Sequence, residues 1–389
     1  MSTKKNRYRS IAITFLLIMA LSVIAGHGVF GKTLENFTTG VASGLPSSGD
    51  YNYIAVGDVD GDGNEDMAFG GENYGSASST GLYVYRGDGS GKWTSASSGL
   101  PTYDSWGGIQ FADADGDDKV EIYGANEGWG THNGPVKGVG AWEYSSGSWS
   151  PSGITQPYNG SSAYANDIVV KNFTKGAGLD IAIATSNQDS SGIIVYYGSG
   201  SSPVSWTSHS TGLPSSGEYT GIDVGDLNND GYPDIATVPY TSTGLRVYTQ
   251  DSDGTGWTGR NSNLPTSLRR TSLGVVIGDV NNDGDGDIVV GTRDNGLRLI
   301  LGNGGGASGT SFSWTDVTSS IPSSYRSSGR FAQIQLADMD QDGDLDLLAP
   351  EVGSGLILLL GNGTDKPGTN IGWTEVKDKN LPTSMDFYG

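Results

Sequence analysis

The amino-acid sequence predicts an all-β fold, a β-propeller of four-stranded antiparallel blades. An acidic nine-residue block begins at residues 58, 113, 172, 226, 279 and 338, so successive copies lie 53 to 59 residues apart. Each block is surrounded by short runs of β-branched and aromatic residues bounded by Gly, Asn and Pro, which is the pattern of strands. A tryptophan opens the last run of every unit. Four short strands in a repeating unit are typical of a propeller blade, and a stacked solenoid is the alternative.

The repeat divides the chain into six units, each of which supplies one blade. The predicted propeller domain spans residues 33–389, with blades near 51–101, 106–158, 163–214, 219–265, 272–322 and 330–382. Residues 37–46 have the pattern of a fourth strand without the first three. We therefore expect an N-terminal closing strand in addition to the six blades, and a chain that is a fragment of a seven-bladed propeller.

Composition excludes several classes of protein. The 389 residues include 63 Gly and no Cys, and the net charge is −21. A chain without cysteine has no disulfide scaffold, thiolate metal site or cysteine nucleophile. Binding to phosphates requires a basic surface, so we expect no nucleic-acid partner.

Residues 1–32 have the pattern of a signal peptide. A basic start at residues 4–9 precedes an apolar run at residues 11–25, and small residues follow. The run of fifteen residues is shorter than the roughly 20 that span a bilayer. We expect a secreted or cell-surface protein. An uncleaved N-terminal anchor is the alternative, and we expect membrane association only through an anchor.

The acidic blocks have the composition of calcium-binding loops. In five of the six copies, side-chain oxygens fall at positions 1, 3, 5 and 9 of the block, and Gly occupies position 6 in four of these five. Calcium takes six to eight oxygen ligands, and Gly permits the sharp turn that brings alternate side chains together. Magnesium retains more of its waters and transition metals prefer His or Cys, so the blocks favour calcium. Solvated acidic turns are the alternative.

We predict about five structural calcium sites. The block at Asn172 keeps a single acid, Asp180, and we expect no calcium there. In the block that begins at Asp113, Asp118 replaces the glycine, so we expect weaker binding. The predicted ligands are Asp58, Asp60, Asp62 and Asp66; Asp113, Asp115, Asp117 and Glu121; Asp226, Asn228, Asp230 and Asp234; Asp279, Asn281, Asp283 and Asp287; and Asp338, Asp340, Asp342 and Asp346.

The acidic block and the segment Ala68-Phe69-Gly70-Gly71 after it resemble the FG-GAP (VCBS) repeat family. That family includes the propellers of integrin α subunits and related repeats of prokaryotic surface proteins. The resemblance implies that the metal loops join the first and second strands on the lower face of the propeller. It also implies that the calcium is structural and that ligands bind the upper face.

Aromatic and basic residues are expected on the upper face, where they could stack on sugars or anchor a protein. We expect a module that binds a glycan or protein ligand. The alternative is a polysaccharide lyase or other carbohydrate-active enzyme, although no nucleophile elbow or zinc-protease motif is present in the sequence. We predict no catalytic residue. The ligand-face candidates are Trp106, Trp129, His132, Arg269, Arg270, Arg326 and Arg330.

Overall fold

The computed structural model confirms the predicted all-β propeller. It describes residues 44–46, 51–71, 80–127, 136–152, 158, 164–174, 176, 178–185, 191–201, 204–240, 244–251, 254, 256–266, 268, 274–303, 312–331, 333–351, 355–362 and 371–376. In each blade, consecutive strands are antiparallel neighbours, so the sheet order follows the chain. The first strands of successive blades contact one another, which places them around the axis of the ring.

The described residues form six blades of four strands each. Blades 1 and 2 comprise β1 Tyr51–Gly57, β2 Asp66–Gly71, β3 Gly81–Gly87, β4 Trp93–Ser95, β5 Trp106–Ala112, β6 Glu121–Asn126, β7 Val139–Ser145 and β8 Ser148–Pro151. Blades 3 and 4 comprise β9 Ala165–Lys171, β10 Asp180–Thr185, β11 Ile193–Gly198, β12 Trp206–Ser208, β13 Tyr219–Gly225, β14 Asp234–Pro239, β15 Arg246–Gln250 and β16 Trp257–Gly259. Blades 5 and 6 comprise β17 Gly274–Gly278, β18 Asp287–Gly291, β19 Leu297–Gly302, β20 Trp314–Asp316, β21 Gln335–Ala337, β22 Asp346–Glu351, β23 Gly355–Gly361 and β24 Trp373–Glu375.

The hydrophobic core lies between neighbouring blades. The second strand of a blade is almost entirely buried, as in β10 and β18, because the sheets on either side cover both of its faces. These strands therefore read as continuous apolar runs rather than as alternating ones. Five apolar clusters among the described residues each join two blades; one of them packs Leu299 and Leu301 of blade 5 against Leu347 and Leu359 of blade 6.

The tryptophan that opens the fourth strand links one blade to the preceding one. Trp257 donates its indole N–H to the carbonyl oxygen of His209 at 2.8 Å, and Trp314 bonds Arg260 in the same way at 2.8 Å. Trp149 bonds Ala96 at 2.8 Å. In all three cases the acceptor is the residue that follows the fourth strand of the preceding blade. These three tryptophans pack between neighbouring sheets.

A glycine after the fourth strand allows close approach to the next blade. A Cβ on Gly99 would lie 1.9 Å from the carbonyl oxygen of Trp149. Gly99 also has a φ of 93°, which favours glycine, so the close contact depends on the absence of a side chain here. Gly44 makes the same approach to Trp93 of blade 1, where a Cβ would also lie 1.9 Å from the carbonyl oxygen. Residues 44–46 therefore lie against blade 1 as the end of blade 1 lies against blade 2. Residues 37–43 lie outside the described residues, and the seventh blade stays a prediction.

Short helical segments occur in the connection between blades 5 and 6. A 3₁₀ turn covers Thr318–Ser320 and a single-turn helix, α1, covers Ser323–Arg326. Within the described ranges, no helix is long and apolar enough to cross a membrane.

Candidate metal centre

The acidic loops connect the first and second strands of every blade, so they all lie on one face of the ring. The first acid organises its own loop. In blade 1, Asp58 accepts N–H bonds from Gly61 at 2.8 Å and Asp62 at 3.2 Å on one oxygen, and from Gly63 at 2.9 Å on the other. The equivalent acids of blades 2, 4, 5 and 6 accept bonds from the residues at positions 5 and 6 in the same way. The chain thus wraps around the carboxylate.

Two residues in each of these loops adopt left-handed backbone conformations, which explains the glycines of the block. Position 4 has a positive φ at Gly61 (73°) and at Asn229 (56°), and position 6 at Gly63 (85°). Asp118 takes the position-6 conformation with a φ of 66°, although this region favours glycine. The turn predicted from the sequence is therefore kept in blade 2 at some cost in backbone strain.

Carboxylate oxygens converge in three of the predicted loops. One oxygen from each of three acids lies within 4.8 Å of the other two in these groups: Asp58, Asp60 and Asp62; Asp113, Asp115 and Glu121; and Asp338, Asp340 and Asp346. The loops of blades 4 and 5 have an amide at position 3. There, Asn228 donates to Asp230 at 3.0 Å and Asn281 donates to Asp283 at 2.9 Å. These two loops carry fewer charges in the same backbone arrangement.

The ninth residue of the block is a buried acid that holds the loop against the third strand, and we call it the latch. Asp287 accepts the N–H of Val280 at 2.9 Å on one oxygen and that of Gly302 at 3.0 Å on the other. It thereby ties the loop to the end of the third strand. The same pair of bonds is made by Asp66, Asp180, Asp234 and Asp346.

Burial raises the pKa of these ninth-position acids. The pKa is about 6 for Asp66, about 7 for Asp346, and about 8 for Glu121, Asp234 and Asp287. Desolvation is the largest cause, and neighbouring acids of the same loop add to it, while the donated N–H bonds oppose it. A cation in the loop would favour the ionised form of every one of these carboxyls.

The residues present fit a hard cation. Glu121 is fully buried and one of its carboxylate oxygens, Oε1, has no hydrogen-bond partner among the residues that the structure describes. One oxygen of Asp115 and one of Asp340 are also buried without such a partner. Each belongs to one of the three converging groups. A buried oxygen that lacks a donor is costly, and a calcium ion bound by oxygens would supply its partner.

The loop of blade 3 is organised by side chains of a different kind. Asn172 donates its amide to the carbonyl oxygen of Gly176 at 2.6 Å, and Thr174 accepts the N–H of Gly176 at 3.2 Å. The sequence supplies one carboxylate here, Asp180, which is engaged as the latch. That this loop binds no calcium stays a prediction.

Two cations near the loops were not part of the predicted site. The guanidinium of Arg86, in β3, is paired with Asp60. Lys119 lies 2.5 Å from Asp117 and 2.8 Å from Glu143. Arg86 could have been noticed by aligning the third strands, because the same position holds Leu in blades 5 and 6. Its contact with Asp60, however, is across 26 residues of chain and required the fold.

The opposite face carries the loops that join second to third strands and one blade to the next. Of the ligand-face candidates, Trp129, His132, Arg269 and Arg270 lie outside the described residues. Arg326 is partly buried and donates to the carbonyl oxygen of Ser319, and Arg330 is also partly buried.

Trp106 corrects one expectation for this face. Its side chain is 1% exposed, donates its indole N–H to Tyr103 at 2.8 Å and packs edge-on against Trp142 at 5.3 Å between ring centres. The ring belongs to the core between blades 1 and 2, so it is no candidate for ligand contact. An aromatic residue at the start of a first strand points between sheets here, which its sequence position alone did not reveal.

The fold and the loops together define a repeat-built β-propeller with an acidic loop at the same place in every blade. Residues 178–237 and 279–349 match the FG-GAP-like repeat family. Two segments of this propeller are thus similar to FG-GAP-like repeats, which confirms the predicted resemblance there. No curated protein matches the sequence significantly.

Solved structures of similar fold are distant in sequence. A putative 6-phosphogluconolactonase from Bacteroides uniformis is 12% identical, with a TM-score of 0.50 over 88% of this chain and 87% of that one. A protein from Lactobacillus plantarum is 10% identical, with a TM-score of 0.52 over 86% and 85%. BBS1N, from its complex with ARL6DN soaked with lead, is 12% identical, with a TM-score of 0.51 over 90% and 96%. These likenesses support the propeller fold.

Proposed function

We propose that this chain is a secreted or cell-surface β-propeller that is stabilised by calcium and binds a glycan or protein ligand. The observation that carries the calcium part is the group formed by Asp113, Asp115 and Glu121. Its oxygens converge within 4.8 Å, and one buried oxygen of Glu121 has no partner in the described part of the chain. Such an arrangement is costly by itself and favourable around a cation.

The residues that would hold the ions are those of the acidic blocks in blades 1, 2, 4, 5 and 6. When bound, calcium supplies positive charge that offsets the repulsion among the carboxylates of a loop. The protein contributes the wrapped backbone around the first acid and the latch at the ninth position. An ion that binds only the folded state stabilises that state by mass action.

Calcium binding is tested by calorimetric titration of metal-free protein, with the bound metal counted by elemental analysis after gel filtration. We expect about five calcium ions per chain. The variant Asp338→Asn removes a charge from the centre of one loop, and it should bind about one ion fewer. Lys92→Ala, a change on the same face in the turn before β4, is the control and should leave the count unchanged. A metal-free protein that takes up no calcium would refute this part of the proposal.

The ligand-binding part of the proposal rests on the division of the ring into two faces. The acidic loops lie on one face, so the other is left for a ligand, and its sequence is rich in aromatic and basic residues. Aromatic rings stack on sugars and anchor protein partners, and Arg donates to carboxylates or sugar hydroxyls.

A glycan array with calcium and with chelator tests ligand binding. We expect binding to one class of glycan that is lost in Trp129→Ala and Arg270→Ala and retained in Lys92→Ala. Unchanged binding by both alanine variants would contradict a ligand site on this face. Export is tested separately by sequencing the amino terminus of the protein recovered outside the cell. A start within about five residues of position 32 is expected, and an intact Met1 would contradict cleavage.

A further inference from the structure

The six loops differ in whether the protein itself supplies a cation to them. All the ion pairs among the described residues lie in the loops of blades 1 and 2: Arg86 with Asp60, and Lys119 with Asp117 and with Glu143. Both cations contact predicted ligand positions, position 3 in blade 1 and position 5 in blade 2. Within the described residues, the loop of blade 6 has no such partner.

The third position shows the contrast most clearly. In blade 1, Asp60 is paired with Arg86 through one oxygen and accepts the N–H of Asp62 at 3.3 Å on the other. In blade 6, the equivalent Asp340 has one buried oxygen without a hydrogen-bond partner in the described part of the chain. The same carboxylate is therefore satisfied by the protein in one blade and left unsatisfied in the other.

The difference comes from the next-to-last residue of the third strand, which can be compared in blades 1, 5 and 6. Gly87, Gly302 and Gly361 each donate their N–H to the ninth-position acid of their own loop, at 2.9, 3.0 and 2.8 Å. The residue just before that glycine faces the loop in blade 1, where it is Arg86. In blades 5 and 6 it is Leu301 and Leu360. Leucine neither neutralises an acid nor repels a metal ion.

Arg86 is also anchored to the next blade. It interacts with Tyr144 of β7 as well as with Asp60. Tyr144 belongs to the core shared by blades 1 and 2, where it packs against Trp149 with 5.0 Å between ring centres. The Arg86 side chain is 40% exposed, but its guanidinium has partners in both blades.

We propose that Arg86 is a built-in counter-ion that competes with calcium in the loop of blade 1, so that the loops of blades 1 and 6 form a graded series. This inference rests on the proposed calcium binding. The loop of blade 1 stays ordered without metal and binds calcium weakly, whereas the loop of blade 6 requires metal and binds it tightly. The protein then responds to calcium in steps, with blade 6 filled before blade 1.

Hydrogen–deuterium exchange followed by mass spectrometry, at stepped free calcium, tests the series because it follows each loop in its own peptide. In the full chain, the peptide containing residues 338–346 should become protected at lower calcium than the peptide containing 58–66. In Arg86→Leu, the midpoint for 58–66 should move to about tenfold lower calcium, because a unit charge no longer opposes a divalent ion a few ångströms away. The reciprocal Leu360→Arg should move the midpoint for 338–346 to about tenfold higher calcium.

Arg293→Leu is the matched control. It removes the same charge from the connection between β18 and β19, at the opposite end of its blade, and should shift neither midpoint. Equal midpoints for the two loops, or a midpoint for 58–66 that Arg86→Leu leaves within twofold of the original, would overturn the graded series while leaving calcium binding intact. If Arg86→Leu fails to fold, the shift of the 338–346 midpoint in Leu360→Arg tests the graded series by itself. If no loop peptide responds to calcium at all, the proposed function fails together with this inference.

Discussion

At the scale of single residues, the ninth-position acid has a role that does not depend on the other acids of its loop. Asp180, in the loop that lacks carboxylates at positions 1, 3 and 5, accepts N–H bonds from Phe173 at 2.6 Å and Gly198 at 3.0 Å. Asp287, in a loop with carboxylates at positions 1 and 5, makes the same pair of bonds. The latch is therefore part of the blade architecture, and metal binding by positions 1, 3 and 5 is added to it.

The change Asp180→Ala should destabilise the protein equally with and without calcium. It leaves the N–H groups of Phe173 and Gly198 without their acceptor, whereas the N–H of Thr174 keeps Asn172 as an acceptor at 3.1 Å. We expect a loss of roughly 2–4 kcal/mol in the free energy of unfolding, measured by urea titration. Asn172→Ala, in the same loop but more exposed, should cost less than half as much. A loss that appears only in the presence of calcium would contradict the metal-independent latch.

Two further acids connect the first strands around the axis. Asp167 accepts the N–H of Ile222 in the next blade at 3.1 Å, and Asp223 accepts that of Ile277 at 2.7 Å. Burial raises the pKa of Asp167 to about 7 and that of Asp223 to about 6, although Lys171 opposes the shift at Asp223. In both cases the folded chain holds a proton more tightly than an unfolded aspartate with a pKa near 4.

The stability that Asp167 and Asp223 contribute should therefore fall as the pH rises from about 4 to about 7. The sign follows from the raised pKa, because ionising these acids costs more in the folded state than in the unfolded one. Asp167→Asn removes one of the titrating groups, so its melting temperature should change less over this pH range than that of the original protein. Parallel pH profiles for the two proteins would show that Asp167 is not a source of the effect.

At the scale of elements, the fourth strand joins each blade to the one before it. The indole N–H of Trp257 reaches the carbonyl oxygen of His209, and the ring is 4% exposed between the two sheets. Trp206 has the equivalent position in blade 3, and its buried indole nitrogen has no hydrogen-bond partner among the described residues. Comparing variants of the two tryptophans therefore separates the contribution of packing from that of the hydrogen bond.

Replacing Trp257 by Phe should lower the free energy of unfolding by about 1–3 kcal/mol more than replacing Trp206 by Phe. Both changes reduce the ring, but only the first leaves a buried carbonyl group without its donor. Chemical denaturation of the two variants measures the difference directly. Equal losses would mean that the inter-blade bond contributes nothing beyond packing.

The elements could be predicted because their signals are local. The acidic block, the Gly-bounded apolar runs and the opening tryptophan recur within each unit, so the strands follow from short stretches of sequence. The ion pair of Arg86 with Asp60 could not be predicted, because it depends on how the third strand returns beside the loop. Trp106 was misjudged for a related reason. An aromatic residue near a loop has the same sequence signature whether it faces solvent or the adjoining sheet.

At the scale of the whole molecule, the acidic loops concentrate negative charge on one face of the ring, in a chain whose net charge is −21. Repulsion within each loop opposes folding, and the unpartnered carboxylate oxygens of blades 2 and 6 add to that cost. The ring is built from blades that share their cores, so loosening one loop weakens the contacts of two blades. Calcium should therefore affect the stability of the entire propeller.

The most direct test of this account is the melting temperature of verified metal-free protein, measured by calorimetry with excess chelator and with millimolar calcium. We expect the melting temperature to rise by at least about 5 °C in calcium, since several sites that bind only the folded chain each add to its stability. Asp338→Asn should show a smaller rise than the original protein. A melting temperature that is the same with calcium and with chelator would contradict the central claim that these loops are metal sites that stabilise the fold.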